Sequence, residues 1–332
     1  MRGKVGFAYI LQDDKITELA CVKHKDFYQD IKLQVEAQNR AVKIIEEELG
    51  IRLGMSLRLG CGTTAAAVMG CKLVYPENSE PWAIPLLHRI EDVDELEVPE
   101  PQDNPVVQQI LRKAKTFERL TGVKSNVGFD GPVTTAALCR GVREFFVDVF
   151  KAPKLCRRLV EKVTEVAIKW IKYHEEEMGI EPSGWIGLAD DHASFLSPKH
   201  YEMLGFPYEL KFYEAFPERK YRALHICGPT DHLLYKIKDL KLASFELGEM
   251  VDLRRARRIL VNTHIARLFD FRLLLSGSTD DIVEYTKRQI KLGASEEGCF
   301  SIHIEGWRGI AFEKVRLVKK VIEEYNEGRL KL

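Results

Sequence analysis

The sequence predicts an α/β fold of the (β/α)8 TIM barrel type, carrying an N-terminal helical extension. Three observations predict it. Short apolar runs alternate with amphipathic helical patterns over most of the chain, the signature of a parallel sheet covered by helices. The repeats are numerous, which favours a closed barrel over an open, doubly wound sheet. The length, 332 residues, suits one barrel of roughly 250 residues with extensions. No linker or low-complexity stretch divides the chain. It reads as one domain over 1–332, with about 1–105 forming the extension and first elements and 106–332 the main barrel.

The elements follow in order. Ile31, Val35, Val42, Ile45 and Leu49 form one helical stripe, broken only by Gln38, and Gly50 ends it as a C-terminal cap. Residues 73–104 are rich in proline and acid and read as a long surface connection. A helix over 108–120 precedes an apolar run, SNVGFDGP. A helix over 153–177 puts Leu155, Leu159, Val163, Val166 and Trp170 on one face. GWIGLADD is the next strand, and Ser197-Pro198 opens a helix with Ser as N-cap and Pro at its first position. RALHICG is a strand, followed by a helix over 229–240. LASFELGE and FRLLLSGS are strands, each followed by a helix, near 252–260 and over 280–292. CFSIHIEG is the last strand, and a helix over 313–327 closes the pattern.

Fifty basic and fifty acidic residues cancel, so no net field draws the chain to nucleic acid or an anionic membrane. No apolar run approaches the roughly 20 residues of a membrane span. The start, MRGKVGFAYILQDDK, reaches acidic residues before an export-signal core develops. Seven cysteines, Cys21, Cys61, Cys71, Cys139, Cys156, Cys227 and Cys299, are an odd number in a chain large enough to fold without disulfides. The expectation is a reduced, cytoplasmic protein whose thiols are mostly buried.

In a barrel of this type, function sits at the C-terminal strand ends. Here those ends read Asp130-Gly131-Pro132, Asp190-Asp191-His192, His225-x-Cys227-Gly228, Glu246-x-x-Glu249, Ser276-Gly277-Ser278 and His303-x-Glu305-Gly306. Polar groups concentrated after apolar runs mark an active site, because burying them unpaired costs roughly 1–3 kcal/mol each.

His225 and Cys227 are the sharpest pair. Two residues apart on a strand, they point the same way, and imidazole with thiolate suits Zn2+. A catalytic zinc needs a third protein ligand and an open position. Cys299, His303 and Glu305 share one strand face and are the candidates. Cys299 lies near the start of its strand and His303 near the functional end, so His303 is preferred. The spacing equally fits a core histidine beside a buried cysteine. Asp190-Asp191 fits a turn as well as a catalytic pair, and Glu249 and Asp252 also suit the first turn of a helix. Trp185, Phe195 and Trp307 read as barrel packing or pocket wall. The run Arg254, Arg255, Arg257, Arg258 reads as a solvated helix face or a docking patch.

Several segments resemble the uroporphyrinogen decarboxylase family. GWIGLADDHASFLSPKHYEMLGFPYELKFYEAF is similar to a family strand with its acidic turn, Ser-Pro helix start and later Pro-Tyr pair. RALHICGPTDHLL is similar to the histidine strand, FELGEMVDLRRARRIL to the next strand and its Val-Asp-Leu helix start, and LLLSGSTDDIVEYTKRQI to the Gly-Ser segment. GPVTTAALCRGVREFFVDVFKAP resembles an earlier Gly-Pro strand with its helix. GCGTTAAAVMGCKLVYPENSEPW and RIEDVDELEVPEPQ fit the N-terminal part. The resemblance covers about residues 40–330.

The family's decarboxylases carry an arginine-bearing Met-Arg-Gln-Ala-Gly-Arg segment that grips substrate carboxylates, and this chain lacks it. The resemblance is therefore closer to the corrinoid-dependent branch that methylates coenzyme M. That branch holds zinc with His-x-Cys, matched by His225 and Cys227, and with a distant Cys. The position of the distant Cys falls near His303 to Glu305, where this sequence departs from the pattern. The resemblance implies a methyltransferase acting between a small thiol or methylated compound and a corrinoid (methylcobalamin) supplied by a partner protein, since no Asp-x-His-x-x-Gly motif is present. Zn2+ would activate the substrate, with Asp190, Asp191 and Glu249 as the catalytic acids. A homodimer fits such an enzyme. A metal-free decarboxylase or lyase and a non-catalytic binding barrel are the alternatives.

Overall fold

The structure is a computed structural model, and it describes residues 3–60, 62–294 and 299–330. Six parallel strands form one sheet in the order β1-β8-β7-β6-β5-β4: β1 (Val5–Leu11), β4 (Trp185–Ala189), β5 (Tyr221–Ile226), β6 (Ser244–Leu247), β7 (His264–Leu268) and β8 (Phe300–Gly306). A separate antiparallel hairpin, β2 (Lys72–Val74) with β3 (Trp82–Ile84), lies in the connection read as surface. Helices join the parallel strands and cover the sheet's outer face. The prediction of a parallel α/β fold holds.

Between the edges β1 and β4 run two extended segments, 56–60 and 123–130, that form no ladder. Their backbone groups are satisfied by other means, as buried peptide groups must be. Gln38 accepts from the Ser56 amide at 3.2 Å. Gln34 accepts from the Arg58 amide and donates to the Arg58 carbonyl, both at 2.9 Å. Leu57 donates to the Ser125 hydroxyl at 2.9 Å, and Ala189 of β4 donates to the Phe129 carbonyl at 3.1 Å. The polar break in the helical stripe, Gln38, thus has a job: with Gln34 it holds a segment that no strand holds.

The helix Ile31–Leu49 matches its prediction. Asp30 caps its start, accepting from the Lys32 and Leu33 amides, and Gly50 ends it at φ 64°. The helices Pro105–Thr121, Pro153–Met178, Thr279–Gly293 and Phe312–Asn326 also lie where periodicity places them. Ser197 and Ser278 cap the helices they were expected to open.

Other expectations change. FRLLLSGS is no strand: Phe271–Ser276 is a helix capped by Asp270, and the strand is His264–Leu268 upstream. A short apolar run does not distinguish helix from strand, and of the three leucines only Leu274 is buried. Ser276-Gly277-Ser278 is accordingly the joint between two helices. SNVGFDGP is extended but unladdered, and the Gly-Pro segment after it is the helix Pro132–Arg140. The helix over 229–240 is reduced to Leu234–Ile237 and a 3-10 turn, Lys238–Leu240. The apolar N-terminal run is strand β1.

Of the cysteines, Cys71, Cys139 and Cys156 are buried, Cys21, Cys227 and Cys299 are exposed, and all six are free thiols. Cys61 lies outside the described residues. Among the described residues no helix is long and apolar enough to cross a membrane.

Alternation along the strands positions the site. Leu224, Ile226, Phe245, Leu247, Ile302 and Ile304 are buried against the helices, each contributing roughly 1.5–3 kcal/mol. The opposite face carries small residues such as Gly187, Ala189, Ala223 and Ala266, which leave a cavity of about 460 Å3 beneath His225, Glu246 and His303.

Candidate active site

The parallel register sets His225 of β5 beside Glu246 of β6, so both side chains enter the barrel at one level. The Nδ1 of His225 lies 2.5 Å from Glu246 Oε2, and the Nδ1 of His303, on β8, lies 2.5 Å from Glu246 Oε1. One carboxylate therefore bridges two imidazoles. Beyond His303, the Ser301 hydroxyl lies 2.8 Å from its Nε2 and 2.8 Å from His264 Nε2.

The engagement of Nδ1 leaves His225 Nε2 facing the mouth. There Asp191, opening the 3-10 turn Asp191–Phe195, brings Oδ1 to 3.5 Å from Nε2 and accepts from the Cys227 amide at 2.8 Å. Asp191, His225 and Cys227 offer a carboxylate oxygen, an imidazole nitrogen and a thiol sulfur within 4.8 Å of one another. This oxygen, nitrogen and sulfur set suits zinc with one position left open, and Glu246 supplies the carboxylate–histidine contact that fixes a ligating ring.

Charge is concentrated here. Burial disfavours a charged His225, but its hydrogen bonds to Cys227 and Glu246 and the charge of Asp191 outweigh burial and raise it to about 11. Burial likewise opposes ionisation of Glu246, yet His225 and His303 hold it down to about 2. Contact with His225 favours the Cys227 thiolate, while burial and Asp191 together push the thiol upward. Burial raises Glu305, whose carboxylate accepts from Gln12 at 2.9 Å and from the Trp307 indole at 3.2 Å.

The predicted residues divide accordingly. His225, Cys227 and Asp191 come together. His303 joins them through Glu246 and is not in the three-residue group. Cys299 precedes β8 at the far end of the barrel, where its carbonyl accepts from Ile265. Asp190 is fully buried behind the turn and accepts from the Val133 and Thr134 amides at 3.2 and 2.7 Å, anchoring the start of the helix Pro132–Arg140. Glu209 and the Tyr201 hydroxyl pair beneath it, and burial pushes both Asp190 and Glu209 above the usual carboxylate range. Gly131 at φ 78° allows this approach, since a Cβ there would sit 2.5 Å from the Asp190 side chain. The Glu249 carboxylate faces Arg272 at 3.4 Å on the rim. Phe195 is exposed and meets Phe146 edge-on, whereas Trp185 lies exposed against Tyr221 at the strand starts.

Two further residues matter. Glu246 stood among the polar strand ends, but its part as a bridge is visible only once β5, β6 and β8 are in register. Arg267 of β7 is buried and donates to the carbonyls of Gly248, Glu249 and Val251 at 2.6, 2.5 and 2.9 Å. It fixes the loop after β6. Its signal was a lone arginine inside the apolar run His264–Leu268.

The sequence profile described as uroporphyrinogen decarboxylase (URO-D) matches residues 22–302. No curated protein matches the chain in sequence. Among solved structures, the chain is similar to a methyltransferase from Methanosarcina mazei, with TM-score 0.72 and 18% identity over 98% of this chain and 94% of that one. It is also similar to a B12-independent methionine synthase from Shewanella sp. W3-18-1 in complex with selenomethionine, with TM-score 0.55 and 11% identity over 92% of each chain. At these identities the likeness is one of fold.

Proposed function

The chain belongs to the uroporphyrinogen decarboxylase family, and on that premise we propose that it is a methyltransferase. It would move a methyl group between a small thiol or methylated compound and a corrinoid carried by a partner protein. The observation that carries this reading is the group Asp191, His225 and Cys227, poised at the barrel mouth with a mixed donor set. The methyltransferase among the structures of similar fold supports it.

His225, Cys227 and Asp191 would hold zinc. Zinc, when bound, supplies Lewis acidity that lowers the pKa of a coordinated thiol. The chain's own residues prepare the site. Glu246 fixes the His225 ring with Nε2 outward. The Cys227 amide holds Asp191 in place. Asp190 and Arg267 pin the turn after β4 and the loop after β6 to the barrel. Glu305, raised by burial and tied to Gln12 and Trp307, can hold a proton beside the cluster. The cluster lies at the strand ends, where a corrinoid-bearing partner would reach a thiol held by these residues.

A test mixes zinc-loaded protein, methylcobalamin and a panel of thiols, and follows the cobalamin absorption spectrum. Thiol-dependent demethylation that disappears in Cys227→Ala is the expected result. Demethylation equal to that without protein, with every thiol, in both transfer directions, would overturn the reading.

A further inference from the structure

A second pocket, of about 250 Å3, opens between the end of β1 and the two extended segments, and Asp13, Arg58, Glu80, Asp130 and Trp170 line it. It adjoins the cluster. Gln12 on its wall donates to Glu305 at 2.9 Å, and Gly128 and Asp130 line both this pocket and the cavity beneath His225 and His303.

Its charges are of both signs. Asp13 is more than nine-tenths buried. One carboxylate oxygen takes the Tyr28 hydroxyl at 2.7 Å, while the other, among the described residues, makes no hydrogen bond and has Arg58 Nη1 at 3.4 Å. Among the described residues the Arg58 guanidinium makes that one ion contact, although its backbone is held on both sides by Gln34. Five donors on a planar fork are matched to a carboxylate. A simple anion in this pocket would meet Asp13, Glu80 and Asp130. A simple cation would face the guanidinium. A ligand bearing one charge of each sign on neighbouring atoms suits both sets.

We propose that this pocket binds the α-carboxylate and α-ammonium groups of an amino acid, with Arg58 taking the carboxylate and Asp13 and Asp130 the ammonium. The substrate class is then an amino acid with a side-chain thiol, which extends past Gln12 to the Asp191–His225–Cys227 cluster. The thiol part rests on the methyltransferase reading, and the amino-acid part rests on the pocket alone.

The two parts separate in a calorimetric titration with L-homoserine, which has both charges and no thiol. Homoserine should bind the protein with or without zinc, at least tenfold more tightly than 4-hydroxybutyrate or 3-aminopropan-1-ol, which each lack one charge. Arg58→Met and, separately, Asp130→Asn should each weaken it at least tenfold in protein that melts as a folded domain. Homoserine binding no tighter than that of the single-charge analogues, or unchanged in both folded variants, would overturn the pocket assignment. L-Homocysteine should exceed homoserine only in the zinc-loaded protein. If homoserine binds as expected and that zinc-dependent advantage is missing, the pocket stands and the thiol-activation premise falls.

Discussion

On the β4–β8 side of the mouth, charged groups have already met their partners: Glu246 holds two imidazoles, Asp191 a backbone amide, and Arg267 three carbonyls. On the β1 side, the backbone hangs from glutamine side chains, and Asp13 and Arg58 retain capacity for further bonds. Laddered strands fix side chains in register, and such order suits a constellation that must keep one geometry. Unladdered segments set a looser, polar wall, which suits recognition of a ligand that completes the hydrogen bonding itself.

The comparison breaks first at Arg267. Arg267→Met leaves three carbonyls, two of them buried, without their donor, and unfolding in urea should show a loss of roughly 3–5 kcal/mol. A loss below about 1 kcal/mol would mean that the loop after β6 is not held as described.

One carboxylate from each side, Glu246 and Asp130, should respond to pH with opposite signs in the metal-free protein. Glu246, held to about 2, contributes stability that is present above the unfolded carboxylate pKa and lost as pH falls through about 2. Asp130, raised by burial to about 6, keeps its proton between pH 4 and 6 while the unfolded chain releases one, so stability falls as pH rises through that window. Each amounts to about 3 kcal/mol at most. Unfolding free energies from pH 2 to 7 should show a shallower lower slope in Glu246→Gln and a shallower upper slope in Asp130→Asn, with Asp190 and Glu209 keeping the remainder of the upper one. Unchanged slopes would contradict the assignment of these groups.

A smaller effect belongs to Gln34. Gln34→Ala removes both side-chain bonds that hold Arg58 and should cost about 2 kcal/mol in a denaturant titration, whereas an effect near zero would show that the segment is held by packing alone. Glu246→Gln should further weaken zinc binding about 10- to 100-fold in a chelator competition.

Much of this was legible in the sequence where the physics is local. The helix Ile31–Leu49 announced itself by period and by its glycine cap, and His225 and Cys227 by a spacing that puts both on one strand face. Less was legible where partners come from afar. β7 is a five-residue run containing Arg267, and the more apolar Leu273–Leu275 drew the strand assignment away from it. Segment 56–60 alternates apolar and polar residues as a strand does, yet Gln34 and Gln38, not a neighbouring strand, bond its backbone. The third member of the cluster comes from the turn after β4, a reach that no spacing within β5 or β8 reveals. His303, the residue preferred from strand position, is joined instead through Glu246.

The most direct test of the central claim is the zinc content of the purified protein beside His225→Ala, Cys227→Ala and Asp191→Ala, each checked for folding. The account predicts one equivalent of zinc in the parent protein and its loss from all three variants, with His303→Ala retaining the metal at weakened affinity. A parent protein that binds no zinc even when supplied with it and a thiol, or that keeps full affinity after loss of Cys227, would contradict the account.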